Sequence, residues 1–358
     1  MSRWRYLLRR ILLSIPVIVF GLTITFIIIR MGPIDPVSAI LGQDAGPGQR
    51  VQIEQRLGLD RPLWEQYFEF MSNMLLPWSF DLGQSWVVQP NTDVTTLLRS
   101  YAPRTLWLGF WSVLIPLFIG IPLGFYAGLN SNTWGDYVAS FGGIIWRAMP
   151  NFWLAIMFLA FLRQTEQFLF GLDWHTFIVE IDSLVGPPPL DFFAVTDWAT
   201  VGVVSIPIGI YFSFETFLAS VKQVLPAAIV LGSASMGNEL RIGRTAVLET
   251  INSNYVETAK AKGLRDRVIV WKHVFRNALI PLVPIITNEA FILLGGSVIV
   301  EYIFGINGIG YLFFQAATQG DLPLVGSLMF VFIIIIVSIN ILQDVLYTIL
   351  DPRVGYQG

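Results

Sequence analysis

The chain has 358 residues, of which 54% are hydrophobic and only 13% are charged, and its mean hydropathy is +0.63. Since a soluble domain carries roughly 25% charged residues, much of this surface must face lipid rather than water. The net charge of −3 provides no basic face for nucleic acid, and the absence of cysteine excludes disulfides, thiolate metal sites and thiol nucleophiles.

Six segments predict membrane-spanning helices, because a helix crosses the bilayer core with about 20 apolar residues. In chain order they are Ile11–Ile29, Thr105–Leu129, Val138–Phe161, Lys222 to about Leu248, Asn277–Val300 and Leu324–Leu350. The first has no small-x-small cleavage site before Gly32, so it is interpreted as an uncleaved anchor. The fourth is the weakest because its second half carries charges. Its first half is rich in small residues, which suit a bundle interior or a pore wall.

The distribution of lysine and arginine predicts that both termini are cytoplasmic, in a plasma or inner membrane. On the six-span interpretation, 13 of the 22 basic residues fall on the cytoplasmic face and six fall in the two long outer loops. The apolar stretch Ala199–Phe214 would upset this pattern if it crossed the membrane. It has 16 residues and contains Gly202, Pro207 and Gly209, so it is predicted to be interfacial or re-entrant.

The first outer segment, residues 31–104, follows the N-terminal end and first span at 1–30 and is predicted to form a helical extracytoplasmic cap. Short helices are expected over Arg50–Leu57, from Pro62 to Met71, and over Val94–Tyr101. A segment this long is more than a plain connection. The sequence leaves open whether the cap is structural or a platform for a soluble partner.

The second outer segment, residues 163–221, follows spans two and three at 105–162. Apolar residues from Phe170 to Leu184 fall close to one helical face, which predicts an amphipathic interfacial helix ended by Gly186-Pro187-Pro188-Pro189. It too can be structural or a partner platform. Spans four to six occupy 222–350 with a cytoplasmic loop at 250–276, and the tail is 351–358.

Catalytic chemistry is not predicted for this chain. An ATP-binding P-loop needs Gly-Lys-Ser/Thr, and none of the four lysines follows a glycine. The two histidines, His175 and His273, fall on opposite sides of the membrane in the predicted topology, which argues against a histidine-based metal or catalytic site. No catalytic, cofactor-binding or metal-binding residue is therefore assigned, and active transport would draw its energy from a partner or an ion gradient.

The cytoplasmic loop from Asn254 to Pro281 is the most informative stretch. It predicts a short helix whose small residues Ala259 and Ala261 leave the backbone approachable by another protein. Gly263 is placed to end that helix with a positive φ. A second helix then leads into the fifth span. A basic loop that only anchors the topology is the alternative, but it does not explain this order of residues.

The order Glu257-Thr258-Ala259-x-x-x-Gly263 resembles the Glu-Ala-Ala-x-x-x-Gly signature of binding-protein-dependent ABC-importer permeases, with threonine in the second position. The following proline comes late, at Pro281, as in the dipeptide/oligopeptide/nickel group, and the long first outer loop resembles the B-type subunit. Further stretches that are similar to this group are Gly32–Pro36, Leu57–Leu63, Asp81–Ser85, Gly120–Gly124, Leu294–Gly296, Glu301 with Phe304, Gly308–Gly310 and Asp351–Arg353.

The resemblance implies an all-α type I ABC-importer permease fold with six transmembrane helices, forming half of a pathway for di- or oligopeptides. Nickel and oligosaccharides are alternative cargoes within the group. The implied partners are a second, C-type permease subunit, two cytoplasmic ABC ATPases that bind ATP and Mg, and an extracytoplasmic substrate-binding protein. An ion-coupled secondary transporter is the alternative from another class, although no repeated halves with broken helices are evident.

The same resemblance places an ATPase-docking element in the loop. Its expected residues are Tyr255, Glu257, Thr258, Ala259, Ala261, Lys262, Gly263, Leu264 and Arg265.

Two charges fall inside predicted spans. At 1.5 Å per residue, Arg147 and Glu289 lie roughly 15–18 Å from the cytoplasmic ends of their spans. A lone charge at that depth costs about 2.5–3.5 kcal/mol on insertion scales. We predict a buried ion pair near the pore, with the alternative that each charge faces a water-filled vestibule alone. Candidate pore or gate residues are Ser233, Ser235, Asn288, Gly295 and Gly296.

Overall fold

The computed structural model describes residues 3–32, 35–42, 46–168, 171–201, 204–282 and 297–350. Contacts between Cα atoms divide the chain into two units. The first combines Met1–Ala102 with Tyr311–Gly358, and the second is Pro103–Gly310.

Two long apolar helices pack side by side in the first unit, α1 (Arg3–Met31) and α16 (Leu322–Leu350). They approach closely at Gly21, where an added Cβ would lie 2.9 Å from Ile333 Cδ1. Arg10 Nε forms an ion pair with Asp344 Oδ2 at 3.1 Å. These helices confirm the first and sixth predicted spans.

Three short helices follow α1, namely α2 (Pro36–Leu41), α3 (Pro47–Arg56) and α4 (Leu63–Leu75). They confirm the helices predicted over Arg50–Leu57 and from Pro62 to Met71. Asp35 caps α2 by accepting the N–H of Val37 at 3.1 Å. The Ser38 hydroxyl, helped by the Arg50 guanidinium, holds the pKa of Asp35 below its ordinary value.

Asp321, just before α16, ties that helix to the segment after α4. Its buried carboxylate accepts the Ser85 hydroxyl at 2.5 Å and the N–H groups of Trp86, Val87 and Val88 at 3.0–3.1 Å. One carboxylate thus accepts three backbone N–H groups of this segment, and N–H groups that are removed from water need such partners.

The second unit is built around α10 (Phe214–Ile251), a helix of 38 residues. Helix α5 (Val94–Ile115) runs through a π-helical turn at Pro116–Gly120 into α6 (Ile121–Leu129). The segment predicted as a separate helix at Val94–Tyr101 is helical, but it continues into the second span. No residue that would end a helix lies between Val94 and Pro103, so the predicted helix continues into the span. Helix α10 confirms the fourth predicted span and extends it.

Glycines at every fourth position bring α6 against α10. A Cβ added at Gly124 would lie 2.6 Å from the carbonyl oxygen of Leu240. One at Gly128 would lie 2.7 Å from Cβ of Val247. Small residues at this spacing allow helix backbones to approach within the bilayer. The Gly120–Gly124 stretch is therefore explained by packing.

The third predicted span, Val138–Phe161, is not one straight helix. It divides into α7 (Trp134–Arg147) and α8 (Asn151–Leu162), which are bent by 102° relative to each other. Pro150 disfavours helical geometry at the residue before it and has no N–H to donate, so the helix ends there.

Six membrane spans were predicted from the sequence. Among the described residues, four helices are long and apolar enough to cross a membrane, and two bent pairs raise the number to six if each pair is one span. The second pair is α14 (Ser297–Phe304) and α15 (Ile309–Gln319). The all-α membrane fold is confirmed. Most of the predicted fifth span, Asn277–Val300, lies outside the described residues at 283–296.

The predicted amphipathic helix from Phe170 to Leu184 is wrong. Residues 171–184 form turns and bends, and Phe170 itself lies outside the described residues. The ammonium of Lys222 explains this, because it donates to the carbonyl oxygens of His175 at 3.0 Å and Phe177 at 2.7 Å, and also to Val179. Carbonyls of alternate residues that converge on one cation cannot follow a helical path.

The apolar stretch Ala199–Phe214 contains a strand that was not predicted from the sequence. Most of it is strand β2 (Val204–Phe212), paired antiparallel with β1 (Phe193–Val201) so that Phe193 lies opposite Phe212. Aromatic and β-branched residues favour strands, and a short apolar run does not distinguish a strand from a helix. The stretch therefore forms a paired strand, and its expected interfacial or re-entrant position relative to the membrane stays a prediction.

Candidate functional site

The loop that begins at Asn254 and is predicted to be cytoplasmic forms the expected short helix, α11 (Asn254–Ala261). Gly263 has a φ of 70° and donates its N–H to Lys260 O at 2.9 Å, while Leu264 donates to Ala259 O at 3.3 Å. These two bonds are the Schellman arrangement that closes a helix with glycine in the left-handed region. The helix and the positive φ at Gly263 are both confirmed.

One face of α11 is buried in the core of the second unit. Val256 and Ala259, three residues apart, are 0% and 5% exposed. They join a cluster with Phe125 of α6, Val247 of α10 and Val274. Ala259 is therefore packed on the core of its own chain, and its expected place in the docking element stays a prediction. A small side chain is needed there because the helix lies close on its own core.

The opposite face of α11 is exposed. We call it the α11 outer face and define it by eight of the nine predicted docking residues. They are Tyr255, Glu257, Thr258, Ala261, Lys262, Gly263, Leu264 and Arg265. It combines one acidic and two basic side chains with the half-exposed ring of Tyr255 and the exposed apolar side chain of Leu264. Such a mixture of an aromatic anchor with charges is typical of protein interfaces.

A π-helical segment, Ile269–Phe275, follows α11 and α12 (Asp266–Val268). Ile269 and Val274 are buried in the same cluster as α11. Trp271 is 61% exposed and its ring lies 5.1 Å from that of Phe275. Trp271 was not predicted as a site residue, although a tryptophan within a basic loop was a signal that the sequence offered. The chain continues through α13 (Arg276–Ala278) and a 3-10 turn at Ile280–Leu282.

Two of the pore candidates can be placed. Ser233 and Ser235 of α10 are buried, and their hydroxyls donate to the carbonyl oxygens of Val230 at 3.2 Å and Gly232 at 3.1 Å. Their hydroxyls are thus used within the helix. Asn288, Gly295 and Gly296 lie outside the described residues, so the pore assignment stays a prediction.

Arg147 occupies the last position of α7, directly before the bend, and it is exposed. It lies against α10, since a Cβ added at Gly237 would be 3.3 Å from Cβ of Arg147. The arginine therefore lies at a helix end. The depth predicted from the sequence assumed instead that Arg147 lies within one straight span. Glu289 lies outside the described residues, so the predicted ion pair remains a prediction.

A buried ion pair that the sequence argument missed joins Asp136 of α7 to Arg244 of α10. Asp136 is 1% exposed. The partners are 108 positions apart, so no local spacing signals the contact.

Glu301 is a second buried carboxylate, placed where α14 turns into α15. Thr105 Oγ1 donates to Glu301 Oε1 at 3.0 Å and accepts the N–H of Ile309 at 2.7 Å. A Cβ at Gly308 or Gly310 would lie 2.5 Å or 3.0 Å from Glu301 Oε2. Gly308 and Gly310 must therefore stay small around this carboxylate.

Comparisons with known proteins identify the family of this chain. Residues 120–356 match the family described as binding-protein-dependent transport system inner membrane component. Residues 3–105 match the family described as the N-terminal part of the binding-protein-dependent transport system membrane component.

Full-length relatives are similar across both units. The chain is 32% identical over 353 residues to the dipeptide transport system permease protein DppB of Alkalihalophilus pseudofirmus, covering 98% of this chain and 99% of the relative. It is 31% identical over 352 residues to the oligopeptide transport system permease protein AppB of Bacillus subtilis, with the same coverage. It is 27% identical over 394 residues to the inner membrane ABC transporter permease protein YejB of Escherichia coli O157:H7, covering 99% of each. The chain therefore belongs to the binding-protein-dependent transport system inner membrane components, as a permease subunit of an ABC importer.

Proposed function

We propose that this subunit forms half of a translocation pathway for di- or oligopeptides and that partner ATPases drive its motion through the α11 outer face. The observation that carries the proposal is the division of α11 into a buried face and an exposed face. Tyr255 and Leu264 are 45% and 38% exposed, whereas Val256 is 0% exposed. The helix is thus held by its own chain and remains available to a partner.

The buried face supports a lever-like role for α11. Val256 packs in one cluster with Ile121 and Phe125 of α6 and with Val247 of α10. Interiors are close-packed and transmit strain. A force applied to the α11 outer face would therefore reach two membrane helices directly. Rigid-body motion of packed helices is a common way to alternate between two open states.

The partners in this proposal are two cytoplasmic ATPases, a second, C-type permease subunit and an extracytoplasmic substrate-binding protein. ATP and Mg would bind in the ATPases, since no lysine in this chain follows a glycine as a P-loop requires. Both termini would be cytoplasmic, as the excess of basic residues on that face predicts.

The cargo is proposed from the relatives. Two of them are named as dipeptide and oligopeptide permeases at 31–32% identity over nearly the whole chain. Nickel or oligosaccharide remains the alternative that the resemblance leaves open. Mass spectrometry of molecules that co-purify with the partner binding protein would decide between these cargoes, and a metal or sugar in place of peptides would contradict the peptide proposal.

The docking proposal is tested by placing bulk on the α11 outer face without touching the core. Ala261→Trp changes an exposed position at the end of α11. We expect normal membrane insertion with loss of ATPase co-purification and of uptake. Thr245→Trp is the matched control, because Thr245 is exposed on α10 outside this face. Normal ATPase co-purification with Ala261→Trp would contradict docking at α11.

A further inference from the structure

A cavity in the first unit has the features of a ligand site. It has a volume of about 200 Å³, is open on one side, and lies between α1, α4 and the start of α16. Its apolar wall includes Phe26, Ile29, Met74 and Leu322. A concave, mostly apolar site with a few polar groups is the usual form of a small-molecule site.

Gln66 supplies an acceptor for a ligand. Its side chain is 7% exposed and lines the cavity. Its Nε2 donates to the carbonyl oxygens of Leu59 at 3.3 Å and Arg61 at 2.8 Å, which fixes the amide orientation. Its Oε1 is buried and accepts no hydrogen bond from any described residue. Buried acceptors are almost always paired, so a donor in the cavity is expected.

Arg30 supplies a cation on the same cavity. It lies in the last turn of α1 and donates no hydrogen bond to any residue that the structure describes. The nearby carboxylate of Glu69 is instead bonded to Arg61 at 3.1 Å. Glu69 and Asp81 both line the cavity, so cationic and anionic groups face the same space. This pattern matches a zwitterion with an anionic group for Arg30 and a donating cation for Gln66.

The position of Arg30 relative to the membrane selects the class of zwitterion. The apolar span Leu8–Met31 ends beside Arg30, so the guanidinium lies at the headgroup level. Below it, Phe26 and Ile29 of α1 line the same cavity and give an acyl chain an apolar wall. A free polar solute would leave this wall unused.

We propose that the cavity binds the headgroup of a phosphatidylethanolamine lipid. The phosphate would accept from Arg30, and the primary ammonium would donate to Gln66 Oε1 and approach Glu69 and Asp81. A choline headgroup has no N–H and would leave Gln66 Oε1 unpaired, so the site distinguishes phosphatidylethanolamine from phosphatidylcholine. The same headgroup could also come from free glycerophosphoethanolamine, which is the soluble source of this chemistry.

The experiment reconstitutes the full-length chain in nanodiscs with equal amounts of phosphatidylethanolamine and phosphatidylcholine and measures retained lipid by native mass spectrometry. We expect phosphatidylethanolamine to be preferred about tenfold, the effect of one charge-assisted hydrogen bond. Arg30→Gln should lower its retention by a similar factor. Gln66→Leu should remove the preference, and Arg99→Gln, an exposed arginine outside the cavity, should change nothing.

Three outcomes would overturn the proposal. The first is equal retention of the two lipids by the wild type, and the second is Arg30→Gln behaving like Arg99→Gln. The third is displacement of the lipid by an equal concentration of free glycerophosphoethanolamine, which would assign the site to a soluble ligand. If Gln66→Leu fails to fold because Gln66 also holds the loop at Leu59 and Arg61, Arg30→Gln decides the question alone, since Arg30 holds no such loop.

Discussion

Arg244 donates two parallel hydrogen bonds to Asp136, from Nε to Oδ1 at 2.6 Å and from Nη2 to Oδ2 at 2.8 Å. The carboxylate also accepts the N–H of Asn132 at 2.9 Å and the hydroxyl of Ser140 at 3.1 Å. Asp136 is in the first turn of α7 and Arg244 is near the cytoplasmic end of α10 in the predicted topology. The pair therefore fixes the start of α7 against the helix that leads to α11.

Removing Arg244 should strongly destabilise the fold. Arg244→Ala leaves an almost fully buried carboxylate without its cation, and breaking a buried pair costs about 3–5 kcal/mol. We expect the lower end, because the Arg244 side chain keeps 30% exposure. Denaturant unfolding in mild detergent measures the loss. Arg241→Ala is the control, since Arg241 is exposed one turn away and its side chain donates a long, exposed hydrogen bond, at 3.5 Å, to the side-chain amide of Asn238. Equal stability of the two variants would contradict the assignment.

Gly263 separates backbone strain from steric clash at the end of α11. A Cβ there would meet nothing within 4 Å, but φ is +70°, which costs about 1–2 kcal/mol for most side chains. Gly263→Val should therefore open the helix end and lower peptide uptake by about tenfold if docking needs that end intact. Gly263→Asn should stay near wild type because asparagine tolerates this region. Similar uptake by both variants would show that the conformation of Gly263 does not matter.

Much of this fold could be predicted from hydropathy and from the residues that favour turns. Stretches of about 20 apolar residues identify a bilayer-spanning helix whatever its neighbours, so α1 and α16 were predictable, whereas α10 was the weakest prediction because its second half carries charges. Gly263 was predictable because only the local backbone decides which residue can take a positive φ.

The errors have physical causes that lie outside local sequence. The strand β2 was missed because a short apolar run fits a helix and a strand equally well. The turns at 171–184 depend on Lys222, more than 37 positions away. The burial of Ala259 was not predicted, because a small residue suits approach by a partner as well as packing on the chain's own core, and only the fold shows which face of α11 is buried.

Gly308 should not accept even a methyl group. A Cβ would lie 2.5 Å from Glu301 Oε2 and would also press on Thr105 Oγ1, and both side chains are buried. Overpacking of this kind costs about 1–3 kcal/mol, so Gly308→Ala should lower the midpoint of thermal unfolding. Gly109→Ala is the matched control, because Gly109 is inside α5 with nothing within 4 Å. It should be neutral or stabilising by up to about 1 kcal/mol through helix propensity. The prediction fails if Gly308→Ala melts with or above Gly109→Ala.

Lys222 should hold the turns at 171–184 in place. Its ammonium is shared by three carbonyl oxygens and lies 5.7 Å from the ring centroid of Trp174. Lys222→Met keeps the length of the side chain but leaves those carbonyls without their donor, so they should turn towards water. The Ile181 N–H, which donates to His175 O at 3.2 Å, then loses its fixed acceptor. Hydrogen–deuterium exchange should speed up about tenfold across 173–185, the effect of losing about 1.4 kcal/mol of local protection. Lys260→Met, the same change at an exposed lysine of α11, should leave this exchange untouched. Unchanged exchange in Lys222→Met would mean that the turns are held by other contacts.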